Sequence, residues 1–197
     1  MLRKLRDSIS KTFRYSRAGE YPRRYAVMNA FDGVVTVLGI VLGAELLGAA
    51  SAGHIIAAGI GASIAMGVSG ASGTYITETA EQERRVRELE EAMLRKLEGS
   101  VIVKAHKEAA IISAIVDSAA ALLAGLLALS PYFMVVAGLI IEAQAFIFSI
   151  LVSFSMLFIL GAFLGRVAKR SILFSGLKAL AAGILTLILL LIINLIL

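Results

Sequence analysis

The sequence predicts an all-α integral membrane protein with five transmembrane helices. Its N-terminus is expected in the cytoplasm, its C-terminus outside, and its second span is expected to extend into the cytoplasm. Three observations predict this. The 197 residues are 59% hydrophobic, whereas soluble domains run at about 45–50%. The apolar residues gather into runs near the roughly 20 residues that a bilayer requires. All 19 Lys and Arg fall within 1–24, 84–107 and 166–178, and none falls within 25–83, 108–165 or 179–197. Positive side chains are retained on the cytoplasmic side of a membrane, so this alternation sets compartment and topology together.

Composition excludes several classes. The chain has no Cys, which removes disulfide frameworks, thiolate metal sites and cysteine nucleophiles. The net charge of +5 sits beside apolar runs, so membrane lipids with anionic headgroups are the expected partner and nucleic acid is not. The first 24 residues are charged throughout and the first apolar run is long enough to span. The N-terminus is therefore not expected to be a cleavable signal peptide.

Residues 1–24 place Leu2, Leu5, Ile9 and Phe13 at helical spacing between Arg3, Lys4, Arg6 and Lys11. Two readings stay open there: an amphipathic helix lying along the membrane surface, or a charged tail. The first span is expected over Tyr25–Gly48. An uncharged linker, Ala49–Gly53, leads to the second span over Ile55–Ile76, so 25–76 holds the first two helices. Gly59, Ser63, Gly67 and Ala71 recur every four residues, and Gly39 and Gly43 do so in the first span. Small residues at that spacing let a second helix approach closely, whether from the same chain or another subunit.

Residues 77–108 form a charged cytoplasmic region. TETAEQERRVRELEEAMLRKLE (77–98) follows the second span with no Gly or Pro between, so one helix is expected to leave the membrane and continue. The third span is expected over Ala109–Leu129, stopping at Ser130–Pro131. Residues 132–142, without Lys or Arg, are placed on the far side. The fourth span is expected over Ala143–Gly165, GRVAKR (165–170) is a cytoplasmic turn, and the fifth span covers Ile172–Leu195. Residues 109–197 thus hold the last three helices.

Four carboxylates lie in or beside spans: Asp32, Glu45, Asp117 and Glu142. A charge at the bilayer centre costs about 2.5–3.5 kcal/mol on insertion scales, so such residues usually mark a pathway. Glu45 and Glu142 sit near span ends, within reach of headgroups. Asp117 lies beside Ser113 and Ser118, in a setting that suits a protonated packing residue or a functional one. Asp32 is the most informative, because Gly33 follows it and allows close backbone approach. A carboxylate in a dry path exchanges a proton for a divalent cation, since metal binding requires the deprotonated form. The competing reading is a neutral buried Asp at a bend. Met66 offers a thioether, which favours transition metals over Mg²⁺ or Ca²⁺, although a lone Met on an apolar helix commonly only packs. Between Glu78 and Glu108 the chain carries eight acidic residues. Glu81, Glu88, Glu91 and Glu98 lie along one broad side at helical spacing and suit cation capture at a pore mouth. The pairs Glu81–Arg85, Glu83–Arg87 and Glu91–Arg95 equally suit a solvated helix held by ion pairs.

The segment Phe31-Asp32-Gly33-Val34-Val35-Thr36, followed by Leu38-Gly39 and Leu42-Gly43, resembles the first-span motif of the vacuolar iron transporter family. Ile64-Ala65-Met66-Gly67-Val68-Ser69-Gly70 resembles that family's second-span segment and leads into a charged helix as the family's does. The stretch from Gly165 to the end fits as well. Residues 67–75 can also be matched to the second-span motif, one helical turn on, which puts Gly70 at the Met position. The chain departs from the family's pattern in having only about 30 residues between the second and third spans, where the family usually has a helical bundle with several Glu ligands.

The resemblance implies a five-span, homodimeric carrier of Fe²⁺ or Mn²⁺, a divergent member with a shortened metal-binding region. It implies Asp32 as a pore metal ligand from both subunits and Met66 as its soft partner, with Glu81, Glu88 and Glu91 as a reduced cytoplasmic site. The expected activity is export of cytoplasmic metal by proton antiport, without catalysis and without a resident cofactor. Divalent metal ions and protons are the expected partners, besides a second copy of the chain. The expected membrane is the cell membrane in a prokaryote or a vacuolar-type membrane in a eukaryote. Two other functions stay open: a non-transporting scaffold of the same fold, or a membrane-embedded lipid-head-group enzyme. The latter lacks the clustered acids or nucleophile that its chemistry needs, and neither His54 nor His106 lies mid-span.

Overall fold

The structure, a computed structural model, describes residues 20–46, 48 and 51–196. Among the described residues there are five long helices: α1 (Glu20–Leu46), α2 (Ala52–Met93), α3 (Val101–Val136), α4 (Glu142–Val167) and α5 (Ile172–Ile196). All five are long and apolar enough to cross a membrane. The expected amphipathic lead-in lies outside the described residues up to position 19, and Glu20–Arg24 open α1.

The helices start where short polar side chains satisfy backbone N–H groups left free by the first turn. Ser51 Oγ accepts from His54 N at 3.5 Å, Ser100 Oγ from Val103 N at 3.3 Å and Ser171 Oγ from Phe174 N at 3.4 Å. For α4 the acceptor comes from inside the helix, as Gln144 Oε1 receives the Ile141 N–H at 3.2 Å.

The continuous second helix is present: α2 runs 42 residues from the apolar stretch into the charged one. It ends at Met93, short of the helical run expected through Glu98. Leu94 takes a left-handed backbone, with φ at 49°. Its N–H bonds Glu91 O at 3.3 Å while Arg95 N bonds Glu90 O at 3.2 Å. This paired arrangement closes off the last carbonyls and stops a helix. Gly138 and Lys169 close α3 and α4 in the same way.

The third span does not stop at Pro131. It continues to Val136 with the proline inside. Proline removes the N–H that would bond the carbonyl four residues back, which here is Leu127 O. Ser130 Oγ donates to that oxygen at 2.7 Å, so the acceptor stays satisfied. The flanking Leu129 and Tyr132 are buried in an apolar cluster with Val37, Val41, Ile55 and Ala145, and this packing holds the helix through the proline.

The chain divides into two compact units. One joins the residues up to Ala26 with Gly67–Ala119, and the other joins Val27–Met66 with Ala120–Leu197. In the second unit, glycines set how closely the helices approach. A methyl at Gly33 would lie 2.6 Å from Ala121 O, and one at Gly125 would meet Ser63 Oγ. Gly59 packs on Leu129, so the small residues Gly59 and Ser63 of α2 serve packing against α3 of the same chain. The α4–α5 contact is built likewise, with Gly161 against Ser175 and Ala179, and Gly176 against Phe158. Ile147, Leu151 and Ile159 on α4, and Ile184, Leu185 and Ile188 on α5, remain exposed. Such apolar surface on a helix that satisfies its own backbone suits contact with lipid.

Candidate functional site

Asp32 sits in the α1 portion of the second unit, on the side opposite its tightest packing. Gly33 lies against the α3 backbone, and Val34 and Val37 are completely buried. Asp32 itself is exposed. The local sequence explains this, because neighbouring residues on a helix point about a quarter-turn apart. Burying Gly33, Val34 and Val37 on the α3 side leaves the carboxylate facing away from that contact. Met66 is half-buried on α2 in the same unit.

The charged stretch of α2 belongs to the first unit. Glu81 is half-buried and Glu88 and Glu91 are exposed. Arg84 bridges Glu81 at 3.0 Å and Glu88 at 3.7 Å, and Arg85 reaches Glu81 at 3.4 Å. The expected Glu81–Arg85 pair is therefore present. Glu83–Arg87 and Glu91–Arg95 do not close to ion-pair distance among the described residues. Nor do the described residues contain any group of three or more His, Asp or Glu placed to hold one metal ion. Glu81, Glu88 and Glu91 of the first unit form no such group among themselves, and Asp32 and Met66 lie in the second unit.

The outer carboxylates have local roles. Glu142 Oε1 accepts from Ala52 N at 2.8 Å, so the first residue of α4 caps the start of α2. A carboxylate is favoured there, because a helix start presents free N–H groups and a positive dipole end. Glu45 is exposed at the end of α1.

The first unit also contains a buried polar set whose members sequence reading treats singly or passes over. Thr74, Glu78 and Gln82 are buried on one face of α2 at four-residue spacing. Thr74 Oγ1 donates to Asp117 Oδ2 of α3. Tyr25 OH donates to Glu78 Oε1 at 2.8 Å, and Gln82 Nε2 donates to Glu78 Oε2 at 3.3 Å. Arg24 Nη2 in turn donates to the Tyr25 oxygen at 3.4 Å. Asp117 is thus a hydrogen-bonded buried residue, as its neighbourhood of serines allows. The only sequence signal for the rest was the polar four-residue repeat at 74, 78 and 82. Their partners stand 43 and 53 positions away for Thr74–Asp117 and Tyr25–Glu78.

A cavity of about 420 Å³ opens beside this set, lined among others by Gln82, Glu83, Arg87, Glu90, His106 and Lys107. Gln82 Oε1 and His106 Nδ1 are buried in its wall without a hydrogen-bond partner. Glu90 is engaged structurally, since its Oε1 accepts from Leu97 N at 2.6 Å and fastens the turn after α2.

Comparison with known proteins agrees with the architecture. The chain is 34% identical to an uncharacterized protein of Methanocaldococcus jannaschii over 169 residues, covering 84% of this chain and 85% of that one. The family model described as the VIT family matches residues 83–194. That range takes in Glu88, Glu91, Asp117 and the last three helices, while Asp32, Met66 and Glu81 precede it. With the match spanning more than half of its length, this multi-pass membrane chain belongs to the VIT family.

Proposed function

We propose that the chain is a metal-ion transporter that moves Fe²⁺ or Mn²⁺ out of the cytoplasm in exchange for protons, along a path formed where two copies meet. Membership of a family of membrane metal-ion transporters supports the general activity. The observation that carries the specific reading is Asp32, a carboxylate exposed on an apolar helix beside buried Gly33 and Val34. Facing lipid, it would cost about 2.5–3.5 kcal/mol at the bilayer centre. Covered by the same face of a second copy, two such carboxylates lie across a two-fold axis. There they can share a divalent cation, which removes the cost. Deprotonation on metal binding couples the cation to protons. Met66 adds a soft thioether, which favours a transition metal such as Fe²⁺ over Mg²⁺ or Ca²⁺. The charge distribution supports a cytoplasmic N-terminus and a cytoplasmic charged end of α2. There Glu81, Glu88 and Glu91 collect cations, once Arg84 and Arg85 give up their ion pairs.

The chain lacks cysteine, so Asp32→Cys introduces a single thiol. Oxidation of this variant in membranes should give a covalent dimer, and Cd²⁺ should protect the thiols from alkylation. Monomers that persist under oxidation, with thiols that Cd²⁺ leaves reactive, would remove the shared pore. A non-transporting scaffold of the same fold is the competing reading. It is favoured by the arginines that occupy Glu81 and Glu88. A scaffold would tolerate Asp32→Asn with no change in any metal-linked property.

A further inference from the structure

We infer that Glu78 and Asp117 form a proton relay inside a single protomer, filled from the cavity that Gln82 and His106 line. The inference rests on the proton-coupled reading above and adds to it a route for the proton that does not use Asp32. All of its residues belong to one compact unit, and Asp32 belongs to the other.

Three observations carry it. First, the polar groups follow one another along one helix face. Thr74, Glu78 and Gln82 are 7%, 4% and 5% exposed, and residues four apart on a helix are separated by roughly 5–6 Å. That spacing is between Cβ atoms, and one water between the polar groups they carry would link them. Second, the two carboxylates hold partners that can hand on protons. The Tyr25 hydroxyl donates to Glu78 and the Thr74 hydroxyl donates to Asp117. Third, the set meets a wet space. Gln82 gives its N–H₂ group to Glu78, so its oxygen must face away, and that oxygen lies unpartnered in the cavity wall with His106 Nδ1. Buried acceptors of this kind are ordinarily satisfied by water. The cavity's volume of about 420 Å³ has room for roughly fourteen waters at about 30 Å³ each.

A proton suits this track and a metal ion does not. Among the described residues no three His, Asp or Glu converge there, whereas proton transfer needs only successive hydrogen bonds. In the relay, a hydronium ion entering the cavity from solvent becomes water as its proton passes beside Gln82, the residue that both lines the cavity and bonds Glu78, onto the Glu78 carboxylate. Glu78 then passes its proton to a bridging water, the water passes one to Thr74 Oγ1, and the Thr74 hydroxyl proton moves to Asp117 Oδ2. The net change is a neutral Asp117 and a regenerated Glu78 carboxylate. The charges facing the track are Arg24 on α1, bonded to Tyr25, and those around the cavity. The latter are Glu83, Arg87, Glu90 and Glu98 from α2 and the turn after it, and Lys107 from α3. Arg85 and Glu88 line a second cavity on His106. The region carries mixed charge, so protons are not repelled from its entrance.

The test uses the full chain in proteoliposomes with Mn²⁺ as the probe and a pH dye inside. Glu78→Gln and Asp117→Asn should bind Mn²⁺ as the wild type does, because neither is placed on the metal path. The rate of proton movement during Mn²⁺ flux should fall by about a hundredfold, the contribution of a positioned proton-transfer group. Thr74→Val, which keeps both carboxylates, should show the same loss and covers the case in which Asp117→Asn fails to fold. Unchanged proton movement in Glu78→Gln and in either of the other two variants overturns the relay. Mn²⁺ flux without protons in the wild type overturns it as well. If the wild type moves neither ion, the transport reading fails and infrared spectroscopy decides the relay by itself. The carbonyl stretch of a protonated carboxyl should vanish in Asp117→Asn, and its shift in D₂O should slow markedly in Glu78→Gln and Thr74→Val. Absence of such a band, or exchange at the wild-type rate in both variants, overturns the relay.

Discussion

Adding one methyl group at Gly33 should loosen the α1–α3 contact that leaves Asp32 exposed. The new carbon would lie 2.6 Å from Ala121 O and 3.2 Å from Gly125 N. The first distance is about 0.8 Å short of ordinary contact. Both neighbours are backbone atoms, so no side chain can rotate away, and relief requires α1 and α3 to separate. The same contact seats Val34, Val37 and Val41, all completely buried. Overpacking of this kind costs typically about 1–3 kcal/mol. Replacing Gly by Ala in a helix returns up to about 1 kcal/mol of propensity, so Gly33→Ala should be destabilised by about 1–2 kcal/mol. Gly43→Ala is the matched control. It lies on the same helix, no atom comes within 4 Å of its added carbon, and it gains propensity alone. The two variants should differ by about 2 kcal/mol, or roughly 4–8 °C in midpoint for a chain of this size. Reversible unfolding in mixed micelles, followed by circular dichroism, reads the difference. Gly33→Ala as stable as Gly43→Ala would refute the close packing and with it the orientation assigned to Asp32.

Other consequences are smaller. Glu142→Ala should cost about 0.5–2 kcal/mol in the same unfolding assay by uncapping Ala52 N, and Glu142→Gln should recover much of the loss because it keeps an acceptor. Ser130→Ala should cost about 0.5–1.5 kcal/mol, because Leu127 O then loses the hydroxyl that replaces its proline-blocked backbone donor. Arg84→Ala should change stability by less than about 1 kcal/mol, since both of its ion pairs are on the surface. In the proposed reading the same variant should strengthen Mn²⁺ binding to the charged end of α2, measurable by isothermal titration.

Much of the fold was legible because the lipid requirement writes itself into composition. Apolar runs of spanning length marked five segments, the Lys and Arg placement separated them into three groups, and each run became a helix. The charged continuation of α2 was legible because nothing between Ile76 and Thr77 breaks a helix. Pro131 was read as a stop because its local cost is visible in sequence. The Ser130 hydroxyl on Leu127 O and the burial of Tyr132 offset that cost and are tertiary facts. Leu94 gave no warning of the turn after α2, since a leucine rarely adopts a positive φ.

At the candidate site, sequence gave residue types without directions. Asp32 stands out in sequence as a carboxylate in an apolar run. Its outward orientation depends on Gly33 and Val34 being claimed by α3. The links Tyr25–Glu78 and Thr74–Asp117 join positions far apart in the chain, and no single-sequence periodicity pairs them.

Fe²⁺ and Mn²⁺ uptake into proteoliposomes, with and without a pH gradient, separates a proton-coupled carrier from a silent fold when the wild type is compared with Asp32→Asn. Metal flux should respond to the gradient in the wild type and vanish in Asp32→Asn, with both proteins folded. Flux of neither ion, or equal flux in both proteins, would contradict the carrier reading.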